Sequence, residues 1–129
     1  MPAFFDVWYI HDGEEIHSTF LGRPRPVADE TTGKITGYTG KSAFGEPKRV
    51  VAIAPYPEFH AKPIRGASPA FRKGQKLRLA NSLTIERVVS DVTWRLGAWH
   101  YYVMPVAPSS KSESRWIVEI ELRSSKLVG

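Results

Sequence analysis

The chain has no cysteine, so neither a disulfide framework nor a thiolate metal cage can brace it, and its fold must rest on its core alone. That absence favours an intracellular, cytoplasmic setting. Long hydrophobic runs are missing too. No stretch approaches the roughly 20 apolar residues that cross a membrane as a helix, and no membrane partner is expected. The N-terminus, MPAFFDVWYIHDGEE, lacks a basic leader region, and Asp6 and Asp12 interrupt its apolar stretch, so it does not read as a secretory signal. Helical periodicity is absent as well. No window of a dozen residues sets apolar side chains three and four apart without a glycine or proline intervening, so the expected class is all-β. There is no internal repeat and no low-complexity tract.

What is present suffices for an ordered core. The 129 residues are 42% hydrophobic and 12% aromatic, with four tryptophans, enough apolar surface to offset the entropy of folding. A single compact unit is expected, with sub-regions 1–69 and 70–129. The net charge is +5 and the pI near 9.6, but the charges are unevenly spread. Residues 1–30 hold Asp6, Asp12, Glu14, Glu15, Asp29 and Glu30 against only Arg23 and Arg25. From Phe59 to Ile85 the balance reverses: Lys62, Arg65, Arg72, Lys73, Lys76 and Arg78 are basic and nothing is acidic. Such a run is either a solvated face or a contact for an anionic partner.

Asp12-Gly13 supplies the two positive-φ positions of a tight hairpin turn. Around it His11 faces Glu14, Tyr9 pairs with Ile16 and Phe5 with Phe20. Phe5, Val7, Tyr9, Ile16 and Phe20 then share the inner face, and Trp8 lies opposite His17 on the other. Residues 22–47 (GRPRPVADETTGKITGYTGKSAFGEP) hold five glycines and three prolines, which predicts a long loop with one short strand near Ile35. RVVAIAPY (49–56) predicts a buried strand, and the prolines from Pro55 to Pro69 predict irregular, extended chain.

In the C-terminal half four strands are expected. FRKGQKLRL (71–79) turns Leu77 and Leu79 to one face and Lys76 and Arg78 to the other. SLTIERVVSDVTWRL follows, with a bulge at Val88-Val89. Leu96-Gly97-Ala98 makes a turn, and AWHYYVMPV separates Trp99, Tyr101 and Val103 from His100, Tyr102 and Met104. After the polar PSSKSES, RWIVEIEL closes the set with Trp116, Val118, Ile120 and Leu122 in register and Glu119 and Glu121 outward as solubilising residues. Strands this short, tightly connected, imply a small antiparallel barrel burying Leu77, Leu79, Ile85, Val103, Val118 and Leu122.

Phe71-Arg72-Lys73-Gly74 leading into the alternating strand to Leu79, with Trp99 to Val103 and Trp116 to Leu122, resembles the bacterial Src-homology-3-like (SH3-like) barrels over about residues 70–125. The resemblance implies an SH3-like barrel over that span, and the expected fold is all-β, an N-terminal β-hairpin and long loop packed with this barrel. Barrels of this kind bind nucleic acid, bind peptides or dock subunits. Gln75 stands where members usually have an acidic residue, and LTIERVV lacks the glycine that the RNA-binding subgroup carries at the start of its second strand.

Catalytic signatures are lacking. Thr39-Gly40-Lys41-Ser42 ends like a phosphate-binding loop, but that motif needs a glycine at position 35, which is Ile, and Gly45 and Pro47 exclude a following helix. His11, His17, His60 and His100 have no paired ligand spacing. No serine lies in a nucleophile elbow, so no cofactor, metal or enzyme activity is expected. Aromatic residues beside basic ones carry the functional hint. Trp94 and Arg95, with His100, Tyr102 and Arg115, form a candidate stacking platform to join Lys62, Arg65, Arg72, Lys73, Lys76 and Arg78. The alternative places Trp94 and Trp99 in the core. The expectation is a non-catalytic basic module contacting nucleic acid or a nucleic-acid–protein assembly. Its alternative is a protein–protein interaction module (adaptor, inhibitor or assembly subunit) that uses the acidic hairpin and the 22–47 segment.

Overall fold

Asp12 and Gly13 both take left-handed backbone angles, φ 51° and 79°. Type I′ turns need this at both central positions, and it lets the flanking strands keep their twist. The register follows: His11 faces Glu14, Trp8 faces His17 and Phe5 faces Phe20, as the hydrophobic pattern requires. The computed structural model describes residues 4–53, 57–66, 68–107 and 114–128. The fold is all-β, with two antiparallel sheets of five strands each. The chain divides into two compact units, Met1–Ser68 and Pro69–Gly129.

The first unit is built from β1 (Phe4–His11), β2 (Glu14–Ala28), β3 (Ile35–Ser42), β4 (Pro47–Val51) and β5 (His60–Ile64), in the spatial order β4-β3-β2-β1-β5. Val7, Phe20 and Tyr38 form its core, with Ile35, Val50 and Phe59 packed against them. Each fully buried side chain of this size contributes about 1.5–3 kcal/mol by leaving water. Three expectations are corrected here. Residues 22–47 are mostly strand. Among the described residues β2 pairs with β1 as far as Phe4–Leu21 and from Arg25 on with β3, and Pro26 can point its donorless nitrogen away from β3. The strand expected over 49–56 is β4, an edge strand with Val51 exposed, and Ile53 past its end is exposed too; residues 54–56 lie outside the described residues. The irregular chain expected from Pro55 to Pro69 contains β5, antiparallel to β1, and Pro63 is accommodated because β5 is the other edge.

The second unit contains β6 (Lys76–Leu79), β7 (Ser82–Arg95), β8 (Ala98–Pro105), β9 (Arg115–Val118), one helical turn α1 (Glu119–Leu122) and β10 (Lys126–Leu127), in the order β10-β6-β7-β8-β9. Leu79 of β6 and Ile117 of β9 line one cavity of about 190 Å³ although β7 and β8 separate their strands in the sheet. The sheet therefore curls into a barrel-like form. Leu77, Leu79, Val103 and Leu122 are buried as expected, whereas Ile85 and Val118 are only half-buried. The bulge falls at Ser90 rather than at Val88-Val89, between the pairs Val89–Val103 and Asp91–Tyr102.

The closing segment differs most from the expectation. Ile117, not Trp116 or Val118, enters the core, and the strand gives way to a helical turn that leaves Ile120 76% exposed while burying Leu122. Glu119 is no bystander. It accepts a 2.5 Å hydrogen bond from Tyr101 and a 3.0 Å bond from the Ala70 N–H, which draws the chain out of the strand path. Residues 108–113 of the expected polar loop lie outside the described residues.

Candidate nucleic-acid interface

A β-bulge shapes an open concave surface of the first unit. Leu21 pairs with Lys41 and Arg25 with Thr39, so Gly22, Arg23 and Pro24 of β2 all stand opposite the single Gly40 of β3. Gly22 takes φ 76° to make the detour. Gly40 admits it: a Cβ there would lie 3.1 Å from the Phe20 ring and 3.4 Å from the Pro24 Cα. The bulge re-aims Arg23 so that its guanidinium lies 5.0 Å from the centre of the Phe5 ring.

Around this bulge lies an open groove of about 720 Å³, edged by Leu21, Gly40 and Pro47. Five cationic residues, Arg23, Arg25, Lys41, Lys48 and Arg49, line it together with Thr39, and among the described residues no acidic one does. Strand pairing explains the convergence. Arg25, Thr39 and Arg49 form one cross-strand row over β2, β3 and β4, and Leu21, Lys41 and Pro47 form another. Lys48 is held by a 3.0 Å bond from its Nζ to the Thr19 carbonyl and lies over the Phe20 ring. Like charges gathered in a concavity raise the local potential well above that of the same charges dispersed.

Thr39-Gly40-Lys41-Ser42 belongs to strand β3, with no helix after it. Ser42 Oγ accepts the backbone N–H groups of Phe44 and Glu46, both at 3.2 Å, and so caps the β3–β4 turn.

Across the same sheet His17, Trp8 and His60 occupy one row over β2, β1 and β5. Their rings stack, with centroids 5.9 Å apart for Trp8–His17 and 5.2 Å for Trp8–His60, at interplanar angles of 16° and 24°. His17 Nδ1 meets Asp6 at 3.0 Å and Nε2 meets Glu15 at 2.9 Å. Burial opposes charging of the His17 ring, but the bonds to both carboxylates outweigh it and its pKa stands above the ordinary value. Burial also raises the Asp6 pKa, against the pull of His17.

The residues expected at the interface fall into several places. Lys62, opposite Asp6 on β5, and Arg65 after it are exposed in the first unit. The others belong to the second. Arg72 and Lys73 are exposed ahead of β6, and Lys76 and Arg78 point outward from it, with Lys76 3.8 Å from Glu86 and Arg78 opposite Lys126. Trp94 pairs with Trp99, edge to face at 5.1 Å, and so stands on the core side of the sheet. His100 and Tyr102 occupy the outer face, where Tyr102 packs against the exposed Trp116 at 5.2 Å. Arg95 is exposed at the turn. Arg115 lines the small cavity with Asn81. It lies near Arg87, whose pKa is lowered by burial and by the Arg115 charge.

The groove cations were hidden because Arg23 and Arg49 are far apart in sequence and the 22–47 segment read as loop. Alternation of Arg23 and Arg25 was the available signal, and only pairing joins it to Lys41 and Arg49. Comparison with known proteins finds no match to a family model, a curated protein or a solved structure.

Proposed function

We propose that the protein is a non-catalytic module that contacts the phosphate backbone of nucleic acid, with the groove of β2, β3 and β4 as its principal surface. The observation that carries this reading is the set of five cations lining one concavity, with no carboxylate among its described lining residues. Arginine forks and lysine ammonium groups neutralise phosphates and release their counterions, which drives association whatever the base sequence. The basic stretch Arg72, Lys73, Lys76 and Arg78, with Arg95 and the outward His100 and Tyr102, offers a second contact region in the other unit, while Trp94 on the core side and Arg115 at the small cavity stand apart from it. We read that unit as an SH3-like barrel, an architecture used for nucleic-acid and protein contacts alike.

The test is binding of labelled oligonucleotides between about 50 and 200 mM salt, where a binder making several phosphate contacts loses orders of magnitude in affinity. Changing Arg25, Lys41 and Arg49 together to glutamine should weaken binding at every sequence and flatten the salt slope by roughly 0.9 per lost contact. Native protein that fails to bind at low salt, or a triple variant that binds unchanged, overturns the reading. One observation favours a protein partner instead: exposed Trp116 packs on half-buried Tyr102, aromatic residues of a type enriched at protein interfaces.

A further inference from the structure

The geometry points to His60 as a stacking site for an unpaired nucleobase, which would make single strands preferred ligands; this rests on the nucleic-acid reading and deepens it. β5 is an edge of its sheet. In the row His17–Trp8–His60 both faces of the Trp8 ring are taken by histidines, while His60, the terminal ring, has one face against Trp8 and the other turned away from it, toward the sheet edge. A further flat ring placed there would continue a stack already built. Trp8, locked between its neighbours, holds the His60 plane in orientation, so little ordering is left for the ligand to drive.

Two more features define the ligand. Lys62 lies two residues along the same strand and is exposed, with Arg65 after it, so cations lie on one side of the stacking ring, where a phosphate linkage would run, away from Glu58 on the other. Pro63 takes a backbone donor out of β5, which makes this edge poor for adding a peptide strand. A planar ring on a polyanionic backbone fits both, and an extended peptide fits neither.

The experiment compares three probes on the full chain: a thymidine oligomer, an abasic oligomer of equal length and a duplex. Native protein should bind the thymidine oligomer more tightly than the abasic one. His60→Ala and His60→Gln, which remove the ring, should each lose about fivefold or more on the thymidine oligomer and nothing on the abasic oligomer or the duplex. His60→Tyr, which keeps a ring, should bind as native. Native-like binding of the thymidine oligomer by His60→Ala or His60→Gln overturns the proposal, as does an equal loss on all three probes. The duplex arm reports the groove by itself: triple-variant loss there with no His60 effect on thymidine keeps the groove reading and removes this one.

Discussion

Tyr101 donates its hydroxyl hydrogen to Glu119 Oε1 at 2.5 Å, and the same hydroxyl accepts the backbone N–H groups of Ala70 at 2.9 Å and Phe71 at 3.4 Å. One buried phenol thus ties the entrance of the second unit to its closing helical turn. Burial, and then the Glu119 bond, push its pKa up, so the hydroxyl keeps its proton at any physiological pH.

Tyr101→Phe removes that proton and the acceptor while leaving the ring, which packs edge to face on Phe71. The buried Phe71 N–H loses its acceptor and Glu119 its phenol donor, while the exposed Ala70 N–H keeps Glu119, so the expected loss is about 1–3 kcal/mol. A unit of this size should then melt at least about 4 °C lower. Thermal and urea melts read this directly, and an unchanged midpoint would show that water replaces the phenol at no cost.

The Asp6–His17–Glu15 cluster predicts a pH dependence of stability. A histidine whose folded pKa is raised contributes stability in full below its unfolded value, here about 6.5, and loses it as pH rises through the folded value. Asp6, also raised, acts in the same direction from its own unfolded value of 3.8 upward. The first unit should therefore be more stable at pH 6 than at pH 8. His17→Gln should flatten that step. A native protein equally stable at both pH values would contradict the assignment.

The hairpin was legible because two independent signals, the Asp12-Gly13 turn and the alternation from Phe5 to Tyr9, specify one register. The inner and outer faces of β6 and β8 were legible for the same reason. The course of 22–47 was not, since prolines and glycines mark both loops and bulged strands, and only tertiary pairing decides between them. Nor did Trp116 to Leu122 reveal its turn. A strict period of two fits that segment, and the competing hydrogen bond from Tyr101 to Glu119 joins residues 18 apart in sequence. The groove shares this cause: cross-strand rows bring Arg25 and Arg49 together by long-range pairing that spacing alone does not encode.

Leu96 and Gly97 repeat the geometry of Asp12 and Gly13, with φ 53° and 72°, yet Leu96 is 81% exposed and gains little from its side chain. A left-handed angle is costly for leucine and well tolerated by asparagine. Leu96→Asn should stabilise the second unit by about 0.5–1 kcal/mol, since it supplies the Asn-Gly pair that such turns prefer. A melt that moves down instead would mean that the leucine side chain contributes a contact outweighing the strain.

The last prediction links fold to groove through Gly37. It pairs with Val51, and a Cβ built on it would overlap the carbonyl oxygen of Val50. That atom is backbone, so no side-chain rotation can relieve the clash; β3 and β4 must separate locally. Gly37→Ala should therefore strip β4 from the sheet edge, and with it Lys48 and Arg49 leave the groove while Arg25 and Lys41 stay on the paired strands. Two measurements check this. Amide exchange should rise for β4 and remain slow for the β1–β2 hairpin, because the core residues Val7 and Phe20 keep their places. Oligonucleotide affinity should fall toward that of an Arg49→Gln, Lys48→Gln double variant made in the native backbone, with a matching reduction in salt slope. Protected β4 amides in Gly37→Ala would show that the strands part without detaching, and native binding by a variant with a detached β4 would remove Lys48 and Arg49 from the interface.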